Sequence, residues 1–125
     1  MWKYVKPLEN EKSVIEFHKK YNIKMSKKLL DVVIKYNGGR PTHKLFNTID
    51  DKEYVFKSLL SYNENDLENI YSIYPSLFKE SNLFPIATDA AGNMICVNKA
   101  SEEYYLWEHE QNSKIKIVNL DKCLY

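Results

Sequence analysis

The fold class is decided by the stretch Leu83-Phe84-Pro85-Ile86-Ala87-Thr88-Asp89-Ala90-Ala91-Gly92-Asn93-Met94-Ile95-Cys96-Val97. Its first six residues are mostly apolar and predict a strand. Pro85 places that strand at a sheet edge or at a strand start, because proline has no N–H to donate. Asp89, Gly92 and Asn93 suit a turn, since these residue types adopt unusual backbone dihedrals. Residues 94–97 then predict a strand that returns antiparallel to the first.

Further strand patterns lie on both sides of this hairpin. They cover residues 44–46, 54–56, 104–107 and 114–118. The last of these alternates polar and apolar residues, which predicts a strand with one solvated face. Asp50 and Asp51 separate the first two, and the second could continue through Leu59, Leu60 and Tyr62. The sequence therefore predicts an antiparallel meander.

Two amphipathic helices are predicted in the first forty residues. The first begins near Asn10 or Ser13, because Ser13 and Glu16 fit a capping box that satisfies free backbone N–H groups. Its apolar positions at helical spacing are Val14, Phe17 and Tyr21. The second begins after Ser26, a residue type that caps helices. Its apolar stripe is Leu29, Leu30, Val33 and Ile34, and it ends at Asn37-Gly38-Gly39, with Pro41 preventing its resumption.

A third helix is predicted between the strand regions, with Asp66 as its cap and Pro75 near its end. The residues on its apolar face are Leu67, Ile70, Tyr71 and Tyr74. Because helices come first and most strands come later, without βαβ alternation, the class is α+β. We expect one domain over residues 1–125, with N-terminal helices packed on one face of a mostly antiparallel β-sheet.

The composition is ordinary for a folded domain of 125 residues, 44% of them hydrophobic and 28% charged. Ten residues are tyrosines, most of which we expect in the core and the sheet. No apolar run approaches the roughly 18 residues of a membrane span, and the first residues do not form a secretory signal. Cys96 and Cys123 belong to no CxxC pair. We therefore expect a cytoplasmic protein with reduced thiols and no membrane contact.

The net charge of +1 is unevenly distributed along the chain. Residues 1–44 carry 11 basic and 4 acidic side chains, whereas residues 45–71 carry 2 basic and 6 acidic ones. A basic end indicates nucleic-acid binding only weakly. Its lysines mostly lie opposite an apolar helical stripe, which favours a solvated face. We therefore expect no direct contact with nucleic acid.

The best catalytic lookalike is Trp107-Glu108-His109-Glu110, because a histidine between carboxylates can act as a base or bind a metal. In a strand, however, His109 points away from both neighbours. A structural interpretation, in which Trp107 packs and the charged residues end the strand, is favoured. A hydrolase using His109 with Glu108 or Glu110 stays open as a third hypothesis.

The other polar signals are weaker still. His18 lies in a Lys-rich helix and is expected to be solvated, and His43 is isolated in sequence. The glycines are too few for a phosphate-binding loop. Asp89 and Asn93 lack the remaining ligands of a calcium loop, so side-chain bonding within the turn is favoured. We expect no catalytic residue, no metal and no cofactor.

The acidic stretch between residues 50 and 68 is the better functional candidate. A negative surface can imitate a phosphate backbone and attract a basic partner such as a nuclease. The expected partner-binding residues are Asp50, Asp51, Glu53, Glu64, Asp66 and Glu68, with Tyr54, Tyr62 and Tyr71 among them. An ordinary solvated loop followed by a capped helix explains the same residues equally well. The near-neutral total charge also means that the partner need not be a nuclease.

Several motifs, taken in order, resemble the SUKH superfamily. They are Tyr21-Asn22-Ile23-Lys24-Met25-Ser26, Tyr36-Asn37-Gly38-Gly39-Arg40-Pro41, Leu83-Phe84-Pro85-Ile86-Ala87-Thr88-Asp89 with Gly92-Asn93, and Tyr105-Leu106-Trp107-Glu108-His109-Glu110. The structural motif residues are Gly38, Gly39, Pro85, Asp89, Gly92 and Trp107. Each motif alone is loose, but their order and spacing are fairly specific, and they cover nearly the whole chain.

The resemblance implies a function as well as a fold. The SUKH superfamily includes bacterial immunity proteins and fungal regulators of cell-wall synthesis. It therefore implies a non-enzymatic immunity protein that binds a cognate toxin stoichiometrically, as a monomer or weak homodimer. The alternative that it implies is a regulatory scaffold that binds several host proteins.

Two departures from the family pattern have structural consequences. Met25-Ser26 stands where the family commonly has Leu-Pro, and Ser26 is expected to replace the proline by capping the helix. The family commonly ends in a further helix, whereas residues 120–125 allow only a turn or two. A partly exposed sheet face, a dimer contact or a truncated product is the expected consequence.

Overall fold

The computed structural model describes all 125 residues and contains four helices and eight strands. The helices are α1 (Ser13–Lys20), α2 (Lys27–Lys35), α3 (Ile70–Leu77) and α4 (Asp121–Leu124). The strands are β1 (Trp2–Lys3), β2 (Arg40–Pro41), β3 (Leu45–Asn47), β4 (Glu53–Leu59), β5 (Leu83–Asp89), β6 (Met94–Asn98), β7 (Tyr104–Glu108) and β8 (Ser113–Lys116). The predicted α+β class is confirmed. The packing of the helices on one face of the sheet stays a prediction.

The main sheet is a six-stranded antiparallel meander in the order β3-β4-β5-β6-β7-β8. The predicted hairpin of residues 83–97 forms its centre, as strands β5 and β6. Ile95 pairs with Ala87 on one side and Leu106 on the other, and Leu106 pairs with Ile115. These cross-strand partners share a face, and the first three are buried in the core.

The sheet curls until its two edge strands meet. Thr48, just after β3, forms an antiparallel bridge with Ile117, just after β8. The Val118 N–H donates to the Asn47 carbonyl at 3.0 Å, and the Asn119 side-chain amide donates to Asn47 Oδ1 at 2.9 Å. Because unpaired strand edges attract other chains, this closure protects the backbone groups at both edges.

Pro85 lies neither in an edge strand nor at the first position of its strand, the two places predicted for it. Strand β5 is central, with β4 on one side and β6 on the other. The proline is tolerated because Pro85 lies beyond Ala87, the last β5 residue that pairs with strand β4. It also borders an irregularity in the pairing with β6, between Pro85 and Ala87. The missing N–H thus falls where the ladder is already interrupted.

Helix α2 begins and ends as the sequence predicts. Ser26 Oγ accepts a hydrogen bond from the Leu29 N–H at 3.2 Å, which is the expected cap. After the helix, Gly38 has a φ of +68°, a conformation that glycine adopts without strain. Gly39 is required for space, because a Cβ there would lie 2.7 Å from the Tyr36 carbonyl oxygen.

Replacing Ser26 with alanine is expected to lower the free energy of unfolding by about 1 kcal/mol, because the Leu29 N–H loses its acceptor. Urea denaturation followed by circular dichroism measures the change. Ser26→Asp is the matched control, since aspartate caps equally well and should retain most of the stability. Equal losses in both variants would contradict the capping role.

The starts of α1 and α3 differ from the prediction. Ser13 lies inside α1 and forms no capping box; instead Asn10 Oδ1 accepts from the Lys12 N–H at 2.9 Å. Helix α3 is capped by Asn69, whose Oδ1 accepts from the Ser72 N–H, and not by Asp66. Leu67 therefore precedes the helix and is 96% exposed.

Pro75 lies near the end of α3, as predicted, and the helix continues to Leu77. The prediction for His18 needs revision. His18 of α1 is 7% exposed, although the Lys-rich sequence led us to expect a solvated side chain. Its Nε2 lies 2.7 Å from the Tyr62 hydroxyl oxygen. None of the four helices has the length and apolarity needed to cross a membrane.

An aromatic cluster centred on Phe17 joins the helices to the sheet. The ring of Phe17 lies within 4.8–5.8 Å of the rings of Tyr21, Tyr62, Tyr71 and Tyr74. Three of these four contacts have edge-to-face geometry, which aromatic rings favour in cores.

Candidate functional site

The acidic stretch divides into two groups at opposite ends of strand β4. Asp50, Asp51 and Glu53 lie at its beginning, in the β3–β4 turn and the first position of the strand. Glu68 belongs to the second group and pairs with Lys57 near the strand's end, at 3.2 Å. The four residue steps from Glu53 to Lys57 span about 13 Å of extended chain. The predicted acidic residues therefore do not form one patch.

The second group mainly holds a loop together. The Asp66 carboxylate accepts hydrogen bonds from Ser61 Oγ at 2.5 Å and from Asn63 Nδ2 at 3.3 Å. Glu68 is occupied by its ion pair with Lys57. Of this group, Glu64 alone is exposed. Asp66 and Glu68 are therefore engaged within the protein and are poorly placed to attract a partner.

Two of the predicted tyrosines belong to the core. Tyr62 is 3% exposed, so its expected role on a binding surface is wrong for this structure. Burial raises the pKa of its hydroxyl well above the usual value. Tyr71 is half-buried, and its hydroxyl donates to the Tyr62 carbonyl at 3.0 Å. The ring of Phe17, which packs against both, explains why these residues turn inward.

The first group borders an exposed apolar surface that the sequence analysis did not single out. We call it the seam surface, because it lies where the curled sheet closes. Its apolar members are Leu45, Ile49, Val55 and Val118, which are 42%, 65%, 39% and 55% exposed. Leu45 and Val55 are direct cross-strand partners and so share a face. Each of these four side chains therefore keeps more than a third of its surface accessible to a partner.

The charges beside the seam surface are mainly negative. Glu53 pairs with Asn47 across the β3–β4 hairpin, which places it on the same face as Leu45. Neither Asp51 nor Glu53 has a basic group within 4.0 Å, whereas Asp50 lies 3.9 Å from the ammonium of Lys52. A partly exposed sheet face was expected from the sequence, and here it has an acidic border.

Tyr54 points to the opposite face of β4 from this surface. Its ring stacks on Phe46 with centroids 5.9 Å apart, and the two residues are cross-strand partners. Burial raises the pKa of Tyr54, and the nearby carboxylates of Glu108, Asp50 and Asp89 raise it further. Tyr54 therefore lies on the face of β4 opposite the seam surface, which does not include it.

The β5–β6 turn is stabilised by side chains, as the sequence predicts. The buried Asp89 carboxylate accepts from the backbone N–H groups of Ala91 and Asn93 at 3.0 and 2.7 Å, and from Asn93 Nδ2 at 3.0 Å. Gly92 has a φ of +87°, which favours glycine. These bonds satisfy Asp89 without a metal ion.

Trp107 packs beside the C-terminal end of α3. Its ring meets Phe78 edge-to-face at 5.2 Å, and its indole N–H donates to Asn112 Oδ1 at 3.2 Å. The structural interpretation of Trp107 is therefore confirmed. His109 beside it is exposed, and its Nδ1 lies 3.3 Å from Asn93 Oδ1. No carboxylate lies within 4.0 Å of His109, so the geometry of the hydrolase hypothesis is not formed.

The remaining reactive side chains are dispersed or buried. No cluster of three histidine, cysteine, aspartate or glutamate side chains suitable for a metal ion is present. Cys96 and Cys123 are both free and buried. Burial raises the pKa of the Cys123 thiol to about 11, and that of Cys96 also rises. Both cysteines are therefore thiols at neutral pH, which is the less reactive form.

A signal for the seam surface was present in the sequence. Leu45-Phe46 and Val55-Phe56 each place neighbouring apolar residues on opposite faces of a strand. The two phenylalanines are buried and the two aliphatic residues are exposed. A strand that is apolar on both faces needs a cover on each, and here only one cover lies within the chain.

One comparison with known proteins identifies the family. A family model described as SUKH_6: SMI1-KNR4 cell-wall matches residues 11–121, which include all the motifs that resemble the superfamily. Neither a curated protein nor a solved structure matches the chain significantly. The chain therefore belongs to the SMI1-KNR4 (SUKH_6) family, as the resemblance to the SUKH superfamily implied.

Proposed function

We propose that this domain is the immunity half of a toxin–immunity pair and binds its cognate toxin through the seam surface. The observation that carries the proposal is the exposure of Leu45, Ile49, Val55 and Val118 beside an acidic turn. Apolar side chains grouped on a surface with a polar border are characteristic of protein interfaces. Membership of the SUKH family is consistent with such a role.

The partner that best fits this surface is a protein with a basic face. Asp51 and Glu53 have no internal ion pair, so a partner's lysines or arginines can bind them without breaking one. Complementary charge speeds encounter and selects between partners. A nuclease is one toxin of this kind, because its substrate-binding face is positive. On this proposal the domain is cytoplasmic and performs no chemistry of its own.

Glu53→Lys is expected to weaken the complex at least about tenfold, because like charges across an interface repel. The partner is the toxin encoded beside this gene, and calorimetry with the purified pair measures the Kd. Glu64→Lys is the matched control, since it reverses an exposed acid of the other group and should leave the Kd nearly unchanged. If Glu64→Lys weakened binding more than Glu53→Lys, the seam surface would be excluded as the toxin-binding site.

A second pair of variants tests the apolar part of the site. Val55→Ser should weaken binding, whereas Leu77→Ser, which changes an exposed residue on α3, should not. Protection of cells that produce the toxin provides the functional readout. If the wild-type domain neither binds nor protects against any neighbouring toxin, the immunity role is wrong.

A regulatory scaffold is the alternative, and the cell-wall description of the matching family favours it. Such a scaffold would use the same surface for several host proteins. Affinity purification from its own cells distinguishes the two functions. A reproducible set of cell-envelope or signalling proteins, lost with Val55→Ser and without a toxin among them, supports the scaffold.

A further inference from the structure

A second surface of the molecule is positively charged and lies on the short β1–β2 ribbon. Trp2 pairs with Pro41 and Lys3 with Arg40. Like charges directly opposite one another in a ribbon are destabilising. The direct pairing of Lys3 and Arg40 therefore lowers the stability of the ribbon. We call this surface the ribbon face, and its members are Lys3, Tyr4, Lys6, Arg40 and Lys44.

Tyr4 is the centre of the ribbon face. It is 74% exposed and has a φ of +57°, which is uncommon for a residue other than glycine. The guanidinium of Arg40 lies 5.6 Å from the centre of its ring, within the range of a cation–π contact. The exposed aromatic ring is thus fixed beside a cation and stays accessible to a ligand.

Two shallow hollows flank this pair of side chains. One, with a volume of about 370 Å³, is lined in part by Lys6. The other, of about 380 Å³, is lined in part by Lys3 and Lys44. Tyr4 and Arg40 line both. The surface therefore offers cations on each side of one exposed ring.

The positive charge of the ribbon face is not neutralised within the protein. The structure contains three ion pairs, and none of them includes a basic residue of this face. Glu68 is the one acidic residue that lines either hollow, and its carboxylate is held by Lys57 at 3.2 Å. These groups are therefore free to bind an external anion without breaking an internal ion pair.

We propose that the ribbon face binds single-stranded nucleic acid. Tyr4 stacks on a base, and the surrounding lysines and Arg40 bind the phosphates on either side. Single-strand binding sites combine these two elements, a positive groove and an exposed aromatic ring. Carboxylates of an acidic protein would satisfy the cations but offer no base to stack on the exposed ring of Tyr4. This activity is separate from the proposed toxin binding and differs from our expectation of no contact with nucleic acid.

Fluorescence anisotropy with a labelled oligothymidylate of about 12 nucleotides tests the stacking, since single-strand sites cover lengths of this order. Tyr4→Ala is expected to weaken binding at least about fivefold, which is the lower end for loss of one stacked base. Tyr4→Phe keeps the ring and should bind as the wild type does. Thermal melting shows that each variant is folded.

The salt dependence tests the phosphate contacts. Removing two phosphate contacts with Lys3→Ala/Lys44→Ala should lower the slope of log K against log salt by about 1.4, because each contact to a single strand contributes about 0.7. Lys79→Ala/Lys122→Ala is the matched control, since it removes two exposed lysines far from the ribbon in sequence and changes the net charge equally. Its slope should remain that of the wild type.

Competition identifies the class of ligand. Inorganic polyphosphate and poly-glutamate carry charge without bases, so both should compete more weakly than the oligonucleotide at equal charge. Equal or stronger competition by poly-glutamate would assign the surface to an acidic protein and overturn the proposal. Loss of affinity in the control variant equal to that in Lys3→Ala/Lys44→Ala, or no effect of Tyr4→Ala, would also overturn it. Toxin binding by the same variants is expected to be unchanged.

Discussion

Replacing Asn37 with alanine is expected to lower the free energy of unfolding by about 3–5 kcal/mol, because one side chain joins three separate segments. Asn37 is fully buried at the end of α2. Its Nδ2 donates to the Lys6 carbonyl at 2.8 Å and to Ser61 Oγ at 3.1 Å. Its Oδ1 accepts from the Tyr62 N–H at 2.8 Å.

The expected loss is large because alanine removes only one side of these bonds. The Tyr62 N–H and the Lys6 carbonyl keep their positions but lose the amide of Asn37. A buried polar group left without a partner costs about 1–3 kcal/mol. The segment before α1 is fixed by few other bonds, of which the Lys6 N–H to the Asn37 carbonyl is one. In the variant, this segment should therefore be held less tightly to the rest of the protein, in addition to the loss of global stability.

Urea denaturation of the variant and the wild type measures this loss. Asn65→Ala is the matched control, because Asn65 is exposed and its side chain forms no hydrogen bond, so its change should stay within about 0.5 kcal/mol. Hydrogen exchange at the Tyr62 amide gives a local readout and should accelerate in Asn37→Ala alone. If Asn37→Ala lost as little stability as Asn65→Ala, water would have replaced the Asn37 amide as the hydrogen-bond partner.

The contribution of Asn37 shows which part of the fold the sequence could not reveal. Local chemistry predicts that Asn37-Gly38-Gly39 ends a helix, and the helix does end there. The partners Lys6 and Ser61 are distant along the chain, and no periodic pattern connects them to Asn37. The β5–β6 hairpin was predictable because its strands and turn are neighbours in sequence.

The candidate site shows the same distinction. The acidic residues are close in sequence, but strand β4 separates them into two groups, so nearness along the chain misled the prediction. The seam surface depends on the contact between Thr48 and Ile117, which forms because the sheet curls. Curvature arises from the whole sheet and its twist. Of the residues in and beside the seam surface, the sequence analysis named only the acids of the first group, and their role in binding stays a prediction.

His18 is a residue that the sequence pattern did indicate, although its lysine neighbours concealed it. Val14, Phe17, His18 and Tyr21 follow the i, i+3, i+4, i+7 spacing of a buried helical face. Burial lowers the pKa of His18 from 6.5 to about 4. Its stability effect therefore depends on pH.

The wild-type protein is expected to lose about 3 kcal/mol of stability through His18 as the pH falls from 6.5 to 4, at about 1.4 kcal/mol per unit. The unfolded chain binds a proton at His18 below pH 6.5, whereas the folded protein does so only near pH 4. In this window the unfolded state holds more protons, so acid favours unfolding. Above pH 6.5 the histidine is neutral in both states and its contribution is constant.

Urea midpoints measured across this pH range for the wild type and His18→Gln test the effect. Glutamine can still bond the Tyr62 hydroxyl but does not titrate, so its stability should fall less steeply between pH 6.5 and 4. Carboxylates contribute equally to both curves, and their difference therefore isolates His18. His43→Gln, which changes an exposed histidine, should follow the wild-type curve. Parallel curves for the wild type and His18→Gln would mean that the ring takes up its proton in the folded state, and that the contact with Tyr62 opens to water.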